Sequence, residues 1–152
     1  MRREMLKKLV EWKSNSSHKP LILYGARQVG KTYLVEEFAK ENYEYCYSIN
    51  FEFDEDARNI FSGNLDMKTL LMQLTTYRSV PIVAGKTLLF FDEVQKCPQV
   101  LTALKVFALD GRFDVIASGS MLGIIMNEVS SYPVGYVESL YMRQMSFKEF
   151  LW

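Results

Sequence analysis

Leu21-Ile22-Leu23-Tyr24 is a short apolar run opened by Pro20, and it passes directly into Gly25-Ala26-Arg27-Gln28-Val29-Gly30-Lys31-Thr32. Four apolar residues bounded by proline and glycine suit a strand buried on both faces of a parallel sheet. The eight residues that follow fill the pattern G-x-x-x-x-G-K-[ST] at every fixed position, and behind them Leu34, Val35, Phe38 and Ala39 fall on one side of a helix. A strand, a glycine-bounded loop and a helix in that order make a cradle for anions. Backbone N–H groups of the loop and the positive end of the helix converge there, and the glycines allow close approach. The expected ligand is a nucleoside triphosphate contacted by Gly25, Ala26, Arg27, Gln28, Val29, Gly30, Lys31, Thr32 and the adjoining Tyr33. In that reading Lys31 reaches the β- and γ-phosphates as a point charge and Thr32 offers its hydroxyl to Mg²⁺.

A second apolar run, Thr87-Leu88-Leu89-Phe90-Phe91, leads straight into Asp92 and Glu93. Acids at the carboxyl end of a parallel strand lie on the same edge of the sheet as the phosphate loop. Asp92 is therefore expected at the metal, together with Thr32, and Glu93 as the base that orients and deprotonates the attacking water. The next strand ends in Ser118-Gly119-Ser120, which brings either serine to that edge as a sensor of the γ-phosphate. Asn50, ending the strand before, is a candidate for holding Glu93 inactive. The catalytic set is thus Glu93, Lys31, Asn50, Ser118 and Ser120. The guanine-reading string Asn-Lys-x-Asp is missing from the sequence, which favours adenine.

Helix and strand alternate along the rest of the chain. Residues 1–13 predict a helix with Met5, Leu6, Leu9 and Val10 on its apolar face, closed by the polar run Ser14–Lys19. Tyr43–Phe51, Lys86–Phe91, Phe113–Ala117 and Val137–Met145 read as further strands, and Lys68–Tyr77 and a segment opened by Pro98 read as helices. The polar insert Glu52–Asp66 reads as a surface loop. Each parallel crossover needs a connecting helix, so the pattern predicts a mainly parallel sheet of about five strands sandwiched between helices. The expected organisation is an N-terminal helix and linker over 1–19 and an ATPase core over 20–152. Ser146 and Glu149 form a capping-box pair for a helix that only Phe150, Leu151 and Trp152 follow, which suggests a piece of a longer protein.

Composition narrows the partners. Eighteen basic residues balance eighteen acidic ones, so the chain has no global charge with which to hold a phosphate backbone or an anionic membrane. Arg2, Arg3, Lys7 and Lys8 read as the solvated face of the first helix. Cys46, Cys97 and the single His18 are too few for a closed zinc site, and the two cysteines read as core thiols of a cytoplasmic protein. No apolar run approaches the ~18 residues of a membrane span. Arg27, Arg112 and Arg143 read as surface ion-pairing residues.

The phosphate loop, Phe90-Phe91-Asp92-Glu93-Val94-Gln95, Ala117–Ser120 and Tyr132–Ser139 together resemble the AAA-type ATPase family of bacteria and archaea, ATP-binding proteins with a C-terminal domain of unknown function. The resemblance extends from the helix bearing Trp12 to Ser146–Leu151. It implies a P-loop three-layer α/β/α sandwich with a five-stranded AAA core, ATP and Mg²⁺ as ligands, Lys31 and Thr32 as phosphate and metal contacts, Asp92 as metal acid, Glu93 as catalytic base and Ser118 or Ser120 in the sensor position. It also implies a lid and a C-terminal domain beyond residue 152, and hydrolysis that moves attached domains or a partner, either another protein or a second copy of the chain through self-association, with nucleic acid reached only through those domains. Many relatives carry arginine after the glycine of the Pro133-Val134-Gly135 motif; Tyr136 stands there here, so no arginine contact carries over. The alternative function is a non-catalytic nucleotide switch that regulates partner binding.

Overall fold

The computed structural model describes residues 2–25, 30–120 and 135–142. Strands β1 (Leu21–Tyr24), β2 (Tyr45–Asn50), β3 (Thr87–Asp92), β4 (Asp114–Gly119) and β5 (Glu138–Tyr141) form one sheet in the order β2-β3-β4-β1-β5. Every neighbouring pair runs parallel. All five strands therefore end on one edge, and their last residues share it with the phosphate loop.

Helices α1 (Arg2–Ser14), α2 (Lys31–Asn42), α3 (Arg58–Ser62), α4 (Met67–Tyr77) and α5 (Gln99–Asp110) cover both faces of this sheet. Strand side chains alternate between the two sides. Leu21, Leu23, Leu88, Phe90 and Ile116 pack with Met5, Leu9 and Trp12 of α1 and Leu34, Val35 and Phe38 of α2. Ile22, Leu89, Phe91, Val115 and Ala117 pack on the opposite side with the apolar residues of α3, α4 and α5. The split follows from chain direction. From β1 the chain crosses outward to the edge at β2, then returns through β3 to β4, and right-handed crossovers put outward and returning helices on opposite faces.

Two expectations are corrected. The segment Glu52–Asp66 is not simply an irregular loop: Glu55–Ala57 forms a 3₁₀ turn that runs into α3. Ala57, Ile60 and Phe61 recur at i, i+3 and i+4 and are all buried, with Phe61 edge-on to Phe51 and Phe91 at centroid distances of 5.6 and 5.4 Å. Three aromatic rings in such contact outweigh the polar residues around them. On α1, Val10 is 42% exposed and Trp12 takes the inner position, so the buried stripe is Met5, Leu9 and Trp12 at i, i+4 and i+7. The expected strand over 137–145 is observed as Glu138–Tyr141; Arg143, Ser146 and Glu149 lie outside the described residues.

The N-terminal helix is tied to the far end of the sheet, away from the phosphate loop. Trp12 Nε1 donates to the Lys19 carbonyl at 2.7 Å, and the indole meets the His18 ring edge-on at 4.9 Å. His18 Nε2 lies 2.5 Å from Asp114 Oδ1 and its Nδ1 lies 2.6 Å from the Asn15 carbonyl. The Asn15 carbonyl and the Asp114 carboxylate are both acceptors, an arrangement that favours the imidazolium form, in which both ring nitrogens donate. Tyr43 donates its hydroxyl to the other Asp114 oxygen at 2.6 Å. Partial burial alone would lower the His18 pKa, but the bonds to Asp114 and Asn15 and the nearby carboxylates together hold it above its ordinary value. A raised pKa gives stability that is full below the unfolded pKa and is lost as pH rises through the folded one. His18→Gln should therefore destabilise the protein more below about pH 6 than at about pH 9. Urea unfolding at the two pH values checks this, and an equal difference at both would show that the imidazolium contributes nothing.

Candidate nucleotide site

The loop after β1 is framed by two glycines with different tasks. Gly30 caps α2 at φ 83°, ψ 23°, the left-handed region that favours glycine. Gly25 is needed for space: a Cβ there would collide with the backbone carbonyl of Met142, just past β5, whose N–H donates to the Tyr24 carbonyl at 2.7 Å. Lys31 opens α2 and is buried, its Nζ donating to the Gly25 carbonyl at 3.1 Å, so its charge lies over the mouth of the loop. Tyr33 is exposed on the same helix. Ala26, Arg27, Gln28 and Val29 lie outside the described residues.

Asp92 is the centre of the site. It ends β3, is 1% exposed, and takes three donors: Thr32 Oγ1 on Oδ2 at 2.5 Å, Ser118 Oγ on Oδ1 at 2.5 Å, and the Glu93 N–H on Oδ1 at 2.9 Å. Three separate elements thus meet on one carboxylate. The Thr32 and Asp92 oxygens that touch are hard donors of the kind magnesium takes. Among the described residues no group of three or more His, Cys, Asp and Glu gathers, so a divalent ion here would draw its other ligands from phosphate oxygens and water. That is magnesium's ordinary habit, and the donor set fits it.

Glu93 follows in the left-handed region at φ 57°, ψ 46°, the one non-glycine residue with positive φ among those described. Its carboxylate meets Gln95, whose Nε2 donates to Glu93 Oε2. Gln95 Nε2 also lies 3.2 Å from Ser120 Oγ. The two serines therefore have different surroundings: Ser118 gives its proton to Asp92, and Ser120 accepts from Gln95. Asn50 is beside Asp92 in register, but its side-chain oxygen accepts from the Glu52 N–H at 2.9 Å, and among the described residues Glu93 is held by Gln95. Beyond its place in the string Phe90–Gln95, no sequence signal picks out Gln95. Arg112 pairs with Asp110, and Tyr136 lies under Lys105 Nζ at 5.0 Å from the ring centre.

The close approach at Gly25 yields a test. Gly25→Ala must push the β5 exit away from β1, at a cost of about 1–3 kcal/mol for overpacking against backbone. Thermal unfolding in the absence of nucleotide should show a clear drop, and an unchanged midpoint would mean that the two backbones are not in contact.

The sequence profile of the AAA domain family matches residues 17–151. No curated protein matches the chain. Among solved structures, Aeropyrum pernix ORC1, determined in complex with DNA, is similar with a TM-score of 0.63 at 13% identity, over 97% of this chain and 46% of that one. A RuvB variant of Thermotoga maritima is similar with a TM-score of 0.60 at 16% identity, over 98% of this chain and 47% of that one. The chain thus spans just under half the length of either structure, and at such identities the likeness is one of fold. No helix among the described residues is long and apolar enough to cross a membrane. With the family profile covering nearly the whole chain, the protein belongs to the AAA domain family, as a nucleotide-binding module of the ATPase type.

Proposed function

We propose that this module binds Mg-ATP through Gly25–Thr32 and hydrolyses it, with Glu93 as the general base. The observation that carries the reading is the meeting of the Thr32 hydroxyl and the Asp92 carboxylate at 2.5 Å, which joins the phosphate loop's helix to the acid at the end of β3. In this reading Lys31 neutralises the terminal phosphates, and Thr32 and Asp92 hold the metal. Magnesium, when bound, supplies positive charge to the β- and γ-phosphate oxygens. Glu93 accepts a proton from water as the water oxygen bonds to the γ-phosphorus and the bond to the β-phosphate oxygen breaks, leaving ADP and phosphate. Hydrolysis then drives movement of attached domains or of a protein partner. The free thiols Cys46 and Cys97 support a reducing, cytoplasmic setting.

Three substitutions separate the roles. Lys31→Ala should abolish ATP binding in calorimetry, since the buried ammonium is the main side-chain charge at the loop. Asp92→Asn should weaken the magnesium-dependent part of binding. Glu93→Gln should keep Mg-ATP binding but lose about 10²- to 10⁴-fold in single-turnover phosphate release, because the amide cannot take the proton. Hydrolysis at the parental rate in Glu93→Gln removes the general base from the reading. A parent that binds ATP but never hydrolyses it makes the module a switch.

Adenine should be preferred to guanine, as the missing guanine-reading string implies. Competition binding decides this: GTP binding as tight as ATP would count against the assigned nucleotide.

A further inference from the structure

Gln95 has no part in the reading so far, and its surroundings give it one. It sits in the short 3₁₀ turn Val94–Lys96 that follows Glu93, and its side chain reaches Gly119 and Ser120 at the end of β4. Its Nε2 donates to Glu93 Oε2 and lies 3.2 Å from Ser120 Oγ. The amide can sit only this way round, because an ionised carboxylate accepts and never donates. Among the described residues its Oε1 is buried with no hydrogen-bond partner, and a Cβ on Gly119 would collide with it. A buried amide oxygen without a partner costs stability, and the bonds that the Nε2 end makes to Glu93 and Ser120 offset that cost. Gly119 is the register partner of Tyr24, the residue before the phosphate loop, so the wall behind Gln95 belongs to the strand beside the loop.

We propose that Gln95 is the positioning residue for Glu93: its amide fixes the direction of the carboxylate and couples it to Ser120 at the end of β4. The role rests on reading Glu93 as the base. Among the described residues Gln95 is the hydrogen-bond partner of the Glu93 carboxylate, and the left-handed backbone at Glu93 aims the side chain at it. Ser120 accepts from Gln95 and so keeps its own proton to donate. A group that engages that proton draws on the same amide that holds the base, so the terminal phosphate is sensed and the base is aligned through one side chain. Glycine at 119 leaves room for it.

Gln95→Met keeps the length of the side chain and removes the donor. It should bind Mg-ATP with parental affinity and lose up to about 10²-fold in single-turnover phosphate release, the cost of a base misplaced by about 1 Å. Gly119→Ala leaves Gln95 intact but fills the space behind its Oε1, and should give the same split between binding and turnover. A readout without nucleotide completes the test. The Gln95 side-chain amide resonances of ¹⁵N-labelled protein, assigned by their loss in Gln95→Met, should move in both Glu93→Ala and Ser120→Ala. Resonances that stay put in both variants overturn the proposal, as does parental turnover in Gln95→Met when the parent is active. Equal losses of ATP affinity and unfolding temperature in Gln95→Met would make Gln95 a structural residue and also overturn it. A parent that does not hydrolyse ATP sinks the ATPase reading itself, a failure seen before any variant is compared.

Discussion

The site depends on one buried carboxylate held from three sides. A carboxylate with almost no solvent contact is costly unless its oxygens find donors, and Asp92 finds three: a hydroxyl from the first turn of α2, a hydroxyl from the end of β4 and the N–H of the next residue. Each donor comes from a different element. The carboxylate therefore fixes the distance from the phosphate loop to β3 and from β3 to β4 at the same time. The parallel sheet makes this possible, because only when all strands run the same way do their ends, and the acids and hydroxyls on them, share an edge.

The two faces of the sheet support that edge differently. On one side α2 must sit closely enough for its first turn to reach Asp92, and Leu34, Val35 and Phe38 bring it there by packing on Leu21, Leu23 and Phe90. On the other side the aromatic cluster of Phe51, Phe61, Phe91 and Phe107 fills the space beneath β3 and excludes water from the strand that carries the acid. Side chains with few rotamers and large buried areas suit this task, since the position of Asp92 is only as well defined as the packing under Phe91.

Much of this was legible because the strongest signals are local. The short apolar runs Leu21–Tyr24 and Thr87–Phe91 suit buried strands, and the phosphate-loop string between a strand and a helix defines its own context. What escaped reading depends on contacts between distant residues. The turn and helix Glu55–Ser62 have three apolar residues in a polar stretch, and only Phe51 and Phe91 make Phe61 worth burying. The different surroundings of Ser118 and Ser120 come from strand register and from a turn two residues past Asp92. No residue type announces a left-handed glutamate, so nothing in the string Phe90–Gln95 reveals that Glu93 turns back toward Gln95.

That left-handed glutamate has a consequence for how the protein tolerates change. Holding a residue with a Cβ at φ 57° costs about 1 kcal/mol or more, a cost that glycine at the same position avoids. Replacement of Glu93 by glycine therefore relaxes the backbone while deleting the carboxylate. Stability alone would favour that loss, so the carboxylate at this position is carried against the preference of the backbone that holds it.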